Sequence, residues 1–196
     1  MINPIQPALF LDRDGVINKE VHYLSKIKDF VFISGVFETC RMFQKAGFSL
    51  IVITNQSGIA RGYYTDADFH TLNRWMLDRF NDAGISLTDV LYCPHHPKAV
   101  IPEYRTACAC RKPQPGMLLE ARDRHGINLA ASIMVGDKLS DIQAGRQAGV
   151  GKLVLVRSGY DITLDDARQA HHVAENLGQT DSFYKWFIED PTIPTP

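Results

Sequence analysis

Apolar residues along the chain fall into short blocks that end in polar or glycine-rich turns. Ala8–Leu11 ends at Asp12, and the longer, β-branched block Phe48–Ile53 ends at Thr54, so both predict buried strands. Between them Val36, Phe37, Cys40 and Phe43 recur at helical spacing, with Ser34 placed to cap the helix and Gly47 to end it. A second helix is expected to open at Thr65, with Asp66 and Asp68 in its first turn. It aligns Phe69, Leu72, Met76, Phe80 and Ala83 on one face and stops at Gly84. Val90–Cys93 predicts a third strand, followed by a Pro- and Cys-containing excursion to Pro115 and a helix through Leu118, Leu119 and Ala121 to Gly126. Ile133–Val135, a helix from Ser140 to Ala148 closed by Gly149, and the strand Leu153–Val156 complete the series. Strands alternating with helices imply an α/β fold, a Rossmann-like parallel sheet flanked by helices on both faces.

The 196 residues carry 45% hydrophobic positions and a net charge of −1, which fits one globular domain and argues against a polyanion-binding surface for nucleic acid. One domain over residues 1–190 is expected, with a disordered tail at 191–196. The first residues lack a charged leader and an apolar signal segment, and no apolar run approaches the ~20 residues of a membrane span. A soluble cytoplasmic monomer, without membrane contacts, is the expectation. Trp75 and Trp186 lie in helical patterns and are expected to pack, as is Cys40 on the inner face of the first helix.

Asp12 and Asp14 stand two residues apart just beyond the first strand, at the sheet edge where open α/β folds bind ligands. An Asx turn would explain the pair by itself. Polar segments at the other strand ends, namely Thr54–Gly58, Arg111–Gly116 and Gly136–Asp141, make loop punctuation a poor account of the whole set. Cys93 and His95, then Cys108 and Cys110, form two close pairs separated by a loop, the pattern of a closed tetrahedral zinc site with a structural role. His96 is an alternative to His95. Cys110 directly precedes Arg111 and Lys112, so this zinc loop, 93–110, would aim both cations.

The segments Asp-Arg-Asp-Gly-Val-Ile-Asn (12–18), Thr-Asn-Gln-Ser-Gly-Ile-Ala-Arg-Gly (54–62), Cys-Pro-His-His-Pro (93–97), Cys-Ala-Cys-Arg-Lys-Pro-Gln-Pro-Gly-Met (108–117) and Val-Gly-Asp-Lys (135–138) resemble the haloacid dehalogenase-like phosphohydrolase superfamily, in its histidinol-phosphatase-like subfamily. The resemblance covers nearly the whole chain. It implies a Mg²⁺-dependent phosphatase in which Asp12 is the nucleophile, Asp14 the general acid and base, and Thr54 and Lys112 hold the phosphoryl group. Protonation of a leaving alkoxide asks for a protonated Asp14 when substrate binds. Mg²⁺ would be held by Asp12, Asp137 and the backbone carbonyl of Asp14. Asp141 is expected to stand behind these ligands or to serve only as a first-turn helix carboxylate.

Substrate contacts implied by the resemblance map to Glu20, Val21, His22, Tyr23, Thr54, Asn55, Gln56, Ser57, Arg111, Lys112 and Lys138. The implied substrate is a small-molecule sugar bisphosphate of heptose metabolism. The alternative is histidinol phosphate, whose ammonium Arg111 and Lys138 would repel. A noncatalytic zinc-bearing interaction module is a third reading, opposed by the intact motif set. Arg157 is expected either at the cleft or in solvent. Residues 19–53 are already used by a turn, a helix and a strand, which leaves no room for a large cap domain. The zinc loop and residues 19–30 would then form an open rim.

Overall fold

The computed structural model describes residues 6–179. Six strands, β1 (Ala8–Leu11), β2 (Ser49–Asn55), β3 (Asp89–Cys93), β4 (Ile133–Gly136), β5 (Lys152–Val156) and β6 (His172–Ala174), form one sheet in the order β3-β2-β1-β4-β5-β6. Every pairing is parallel. Helices α1 (Val36–Lys45), α2 (Ser57–Ala60), α3 (Asp66–Asp82), α4 (Gly116–His125), α5 (Leu139–Ala148) and α6 (Leu164–Ala167) complete the βα units.

Alternation along the strands divides the core in two. Leu9, Leu11, Leu50, Val52, Ile133, Val135, Val154 and Val156 face α1 and α3, where they meet Val36, Cys40, Phe43, Leu72, Met76 and Phe80. Ala8, Phe10, Ile51, Ile53, Met134, Leu153 and Leu155 face α4 and α5, against Met117, Leu118, Ala121, Ile142 and Ala144. A sheet covered on both sides needs apolar residues at every strand position, which is why the strands read as continuous hydrophobic blocks. Cys40 is fully buried, and Trp75 packs on Phe30 and Phe32 with ring centroids 5.2 and 5.9 Å away. Trp186, the tail 191–196 and the ends of the 1–190 domain lie outside the described residues.

Two helix starts differ from expectation. Gly35, not Ser34, occupies the N-cap of α1, with φ +83°. Leu177 and Gly178 pass so close that a Cβ on Gly35 would lie 2.4 Å from the Gly178 Cα, while Thr39 donates to the Leu177 carbonyl (2.8 Å). Helix α5 starts at Leu139, one residue before Ser140, because the Lys138 amide donates to Asp141 Oδ2 at 3.0 Å and closes the turn from inside. Helix α3 is capped by Thr65, whose hydroxyl and amide pair reciprocally with Asp68. Short α2, α6 and β6 carry too few residues for a period and were not predicted. No cap domain stands among the described residues, and no helix there is long and apolar enough to cross a membrane.

Candidate active site

The strand order reverses between β1 and β4, and the crevice beyond their carboxyl ends is where this topology leaves room for a ligand. Asp12 leaves β1 and Asp137 leaves β4; the Asp12 amide donates to the Val135 carbonyl at 3.0 Å, tying the two strand ends together. One strand away, β2 delivers Thr54, and the loop behind the cysteines delivers Lys112. A cleft of about 310 Å³ opens here, lined by Asp12, Asp14, Thr54, Lys112 and Asp141 at its floor. Glu20, His22, Tyr23, Asn55, Gln56, Ser57, Arg111 and Lys138 also line it. Val21, 45% exposed, is not among these lining residues. In a segment where His22 and Tyr23 both take positive φ (46° and 57°), adjacent side chains do not share one face.

Lys112 is 3% exposed, and its Nζ meets Asp141 Oδ1 (2.6 Å), Asp12 Oδ1 (3.0 Å) and the Ile53 carbonyl (2.7 Å). Its burial would lower the ammonium pKa, but the two carboxylates outweigh that and raise it, so the cation is kept. Asn55 clasps the Lys112 backbone in both directions, donating to its carbonyl and accepting from its amide at 3.1 Å each. Asp141 therefore caps α5 with one oxygen and neutralises Lys112 with the other, a larger part than expected for it.

Asp14 is held by Arg13, which donates from Nη2 to both carboxylate oxygens (3.0 and 2.9 Å), by Asn18 (3.0 Å) and by Gln56 (3.0 Å). Burial opposes ionisation, but the Arg13 guanidinium and these hydrogen bonds prevail and hold the carboxyl below the usual carboxylate range. Asp14 is thus a carboxylate in the free site, and a proton reaches it only after the surroundings change. Gln56 also donates to Thr54 Oγ1 (2.8 Å), leaving the Thr54 proton to donate elsewhere, and accepts from Tyr64 Oη (2.6 Å).

Asp12, Asp137 and Asp141 each place a carboxylate oxygen within 4.8 Å of the others. Burial first, then neighbouring carboxylates, pushes Asp12 up to about 6 and Asp137 up to about 9. Both Asp137 oxygens are buried and have no hydrogen-bond partner among the described residues. They sit between Gly15 and Gly159, where an added Cβ would lie 2.3 and 1.9 Å from Asp137 Oδ2. Orphaned, crowded carboxylate oxygens are what a hard divalent cation satisfies, so these residues fit Mg²⁺.

The chain is 52% identical over 171 residues to the D-glycero-beta-D-manno-heptose-1,7-bisphosphate 7-phosphatase of Escherichia coli (strain K12), covering 87% of this chain and 90% of that one. It is 49% identical over 158 residues to the protein of the same name from Vibrio cholerae serotype O1, covering 81% and 85%. The chain belongs to this phosphatase family. A family model described as HAD-hyrolase-like matches residues 109–180. The crystal structure of D,D-heptose 1.7-bisphosphate phosphatase from B. bronchiseptica, complexed with magnesium and phosphate, superposes with a TM-score of 0.78 at 28% identity, covering 92% of this chain and 99% of that one. Family membership makes the chain a phosphoric monoester hydrolase of the haloacid dehalogenase-like class, and the cleft described above is the part of it that can do such chemistry.

Beside the cleft, Cys93, His95, Cys108 and Cys110 gather their ligand atoms within 4.8 Å of one another. The sulfur pairs lie 3.0, 3.2 and 3.5 Å apart, and His95 Nδ1 is 3.4 Å from Cys110 and 3.7 Å from Cys93. These edges approach the ~3.8 Å expected of a tetrahedron with ~2.3 Å bonds to zinc. His96 is turned away, pairing with Arg61 (3.2 Å) and with the Lys98 amide (3.0 Å). Arg111 Nη1 donates to the His95 carbonyl at 3.1 Å, coupling the cluster to the cleft. Arg157 pairs with Glu175 (3.5 Å) and stays outside the cleft lining.

Four contributors escaped sequence reasoning. Tyr64 braces Gln56, and Gly58 makes room for it: a Cβ there would lie 2.1 Å from its ring. Gly159 lies on Asp137, and Tyr160 lines the cleft beside Lys138. All depend on loops folding back over motif turns, which no local pattern encodes.

Proposed function

We propose that this chain removes the 7-phosphate from the β-anomer of D-glycero-D-manno-heptose 1,7-bisphosphate, leaving heptose 1-phosphate, by a double displacement through an aspartyl-phosphate. The observation that supports it best is the placing of cations at two depths of one cleft. Lys112 is buried beside Asp12, while Arg111 and the 41% exposed Lys138 stand at the mouth. A substrate with phosphate at both ends matches that division; histidinol phosphate, with an ammonium at its far end, does not.

Asp12 attacks phosphorus, its carboxylate oxygen forming the new P–O bond as the ester P–O bond breaks. Asp14, once protonated on substrate entry, delivers its proton to the departing sugar oxygen. It then takes a proton from the water that attacks the phosphorus and releases Asp12. The Thr54 hydroxyl and the Lys112 ammonium donate to phosphoryl oxygens. Magnesium, held by Asp12, Asp137 and the Asp14 backbone carbonyl, supplies charge neutralisation at the phosphoryl group when bound. Zinc on Cys93, His95, Cys108 and Cys110 keeps the loop that carries Arg111 and Lys112 in place. We place the enzyme in the cytoplasm as a monomer with no nucleic-acid partner, in keeping with four unpaired cysteines and a net charge of −1.

Phosphate release from both anomers of heptose 1,7-bisphosphate and from histidinol phosphate, alongside Asp12→Asn, tests the reading. A kcat/KM preference for the β-anomer that vanishes in Asp12→Asn is expected; a preference for histidinol phosphate overturns the substrate assignment.

A further inference from the structure

We infer that Tyr160 is a positioning residue that holds the Lys138 ammonium at the mouth of the cleft and so sets affinity for the second anionic end of the substrate. The inference rests on the bisphosphate reading above. Its origin is the loop after β5, which is fastened over the first motif turn. Ser158 Oγ donates to the Gly15 carbonyl at 2.6 Å, and Gly159 is pressed against Asp137. These two contacts carry residue 160 to Lys138, whose Nζ lies 4.2 Å from the centre of the Tyr160 ring. A lysine ammonium over a tyrosine face at that distance is attracted by the ring quadrupole and loses part of its freedom on a long, flexible stem.

Lys138 needs such a constraint because it has a competing destination. Its Nζ is 4.0 Å from Asp137 Oδ2, and that carboxyl group has no hydrogen-bond partner among the described residues. On the outer side Nζ is 3.5 Å from Glu20 Oε2. The Tyr160 ring borders both the substrate cleft and a separate cavity of about 280 Å³ reached past Asp137, Leu139 and Ile162. Shortening the side chain joins the two spaces and lets Lys138 retreat toward Asp137. The Tyr160 hydroxyl also stands 3.4 Å from His22 Nδ1, linking the ring to the rim segment 20–23.

The experiment compares kcat and KM for wild type, Tyr160→Phe, Tyr160→Leu, Lys138→Met and the Tyr160→Leu/Lys138→Met double variant. Each is assayed on heptose 1,7-bisphosphate and on p-nitrophenyl phosphate, which has one anionic end, with thermal midpoints to verify folding. Tyr160→Leu is expected to raise KM for the bisphosphate roughly three- to ten-fold with a much smaller change in kcat. Its effect on the KM for p-nitrophenyl phosphate is expected to be much smaller. Tyr160→Phe, which keeps the ring face, recovers most of the loss, and Tyr160→Leu adds little once Lys138 is gone. Equal KM increases on both substrates, full additivity with Lys138→Met, or a Tyr160→Leu enzyme with wild-type KM overturns the inference. A wild type that does not prefer the bisphosphate overturns the substrate reading and this inference together; a wild type that does, with Tyr160→Leu unaltered, overturns this inference alone.

Discussion

Lys112 lies closer to Asp141 (2.6 Å) than to Asp12 (3.0 Å), so the cation is balanced between the proposed nucleophile and a carboxylate on the next βα unit. Replacing Asp141 with Asn shifts Lys112 wholly onto Asp12, which ties up the attacking oxygen. A fall in kcat of ~10- to 100-fold is expected, with destabilisation on the order of 3 kcal/mol from the disrupted buried pair. Steady-state kinetics with urea unfolding measures both. An Asp141→Asn enzyme with wild-type kcat would show that Asp141 only caps α5.

Raised carboxylates make the metal-free protein sensitive to pH in a definite direction. Asp137 is pushed up to about 9 and Asp12 to about 6, so in the folded state both hold protons that the unfolded chain has already released. Stability of the metal-free protein is therefore expected to fall as pH rises from 4 to 9. Mg²⁺ opposes both shifts by favouring the ionised carboxylates over the effect of burial, and its stabilising effect should grow with pH. Calorimetric titration at pH 7.5 in buffers of different ionisation enthalpy should register proton release, about one per Mg²⁺, as Asp137 ionises. Binding without proton release contradicts this prediction.

Gly159→Ala tests the cradle around Asp137. Its Cβ would fall 1.9 Å from Asp137 Oδ2, and the carboxylate must move to admit it. Mg²⁺ affinity is expected to weaken at least ten-fold while circular dichroism stays that of the wild type. Unaltered Mg²⁺ binding would mean that the loop yields and the carboxylate does not.

Zinc removal should act on Lys112 and not on the Mg²⁺ carboxylates. The cysteine cluster adjoins Lys112 through Cys110 and Arg111, whereas Asp12 and Asp137 are set by β1 and β4. Chelation verified by metal analysis is expected to cost ten-fold or more in kcat/KM, with Mg²⁺ affinity within about two-fold. Full activity in zinc-free protein defeats this account; Asn55, which clasps the Lys112 backbone, would then suffice.

What could be read from the chain before folding was the part encoded by local repetition. Strand blocks end at Asp12, Thr54 and Asp137 because ligands of an open parallel α/β sheet sit beyond the carboxyl ends of its strands, so block endings and candidate site residues coincide. The cysteine pairs were legible for a similar reason, each pair being close in sequence. Asp141 was under-read because a first-turn helix position has a sufficient local use, and the distant one, Lys112, has no local signal. For Val21, contiguity with Glu20 and His22 says nothing of direction where the backbone turns through positive φ at His22 and Tyr23, so the sequence alone does not place its side chain. β6 was missed since His172–Ala174 is half-exposed at the sheet edge and too short to show alternation.

The open mouth of the cleft bears on the fate of the phosphorylated enzyme. With no cap domain among the described residues to seal it, the proposed aspartyl-phosphate faces bulk solvent through the same opening that admitted the sugar. Water then competes with any small alcohol present, and the ratio of hydrolysis to transfer follows their concentrations. Glycerol in a storage buffer is then expected to act as a phosphoryl acceptor, and comparing released sugar with released phosphate checks it.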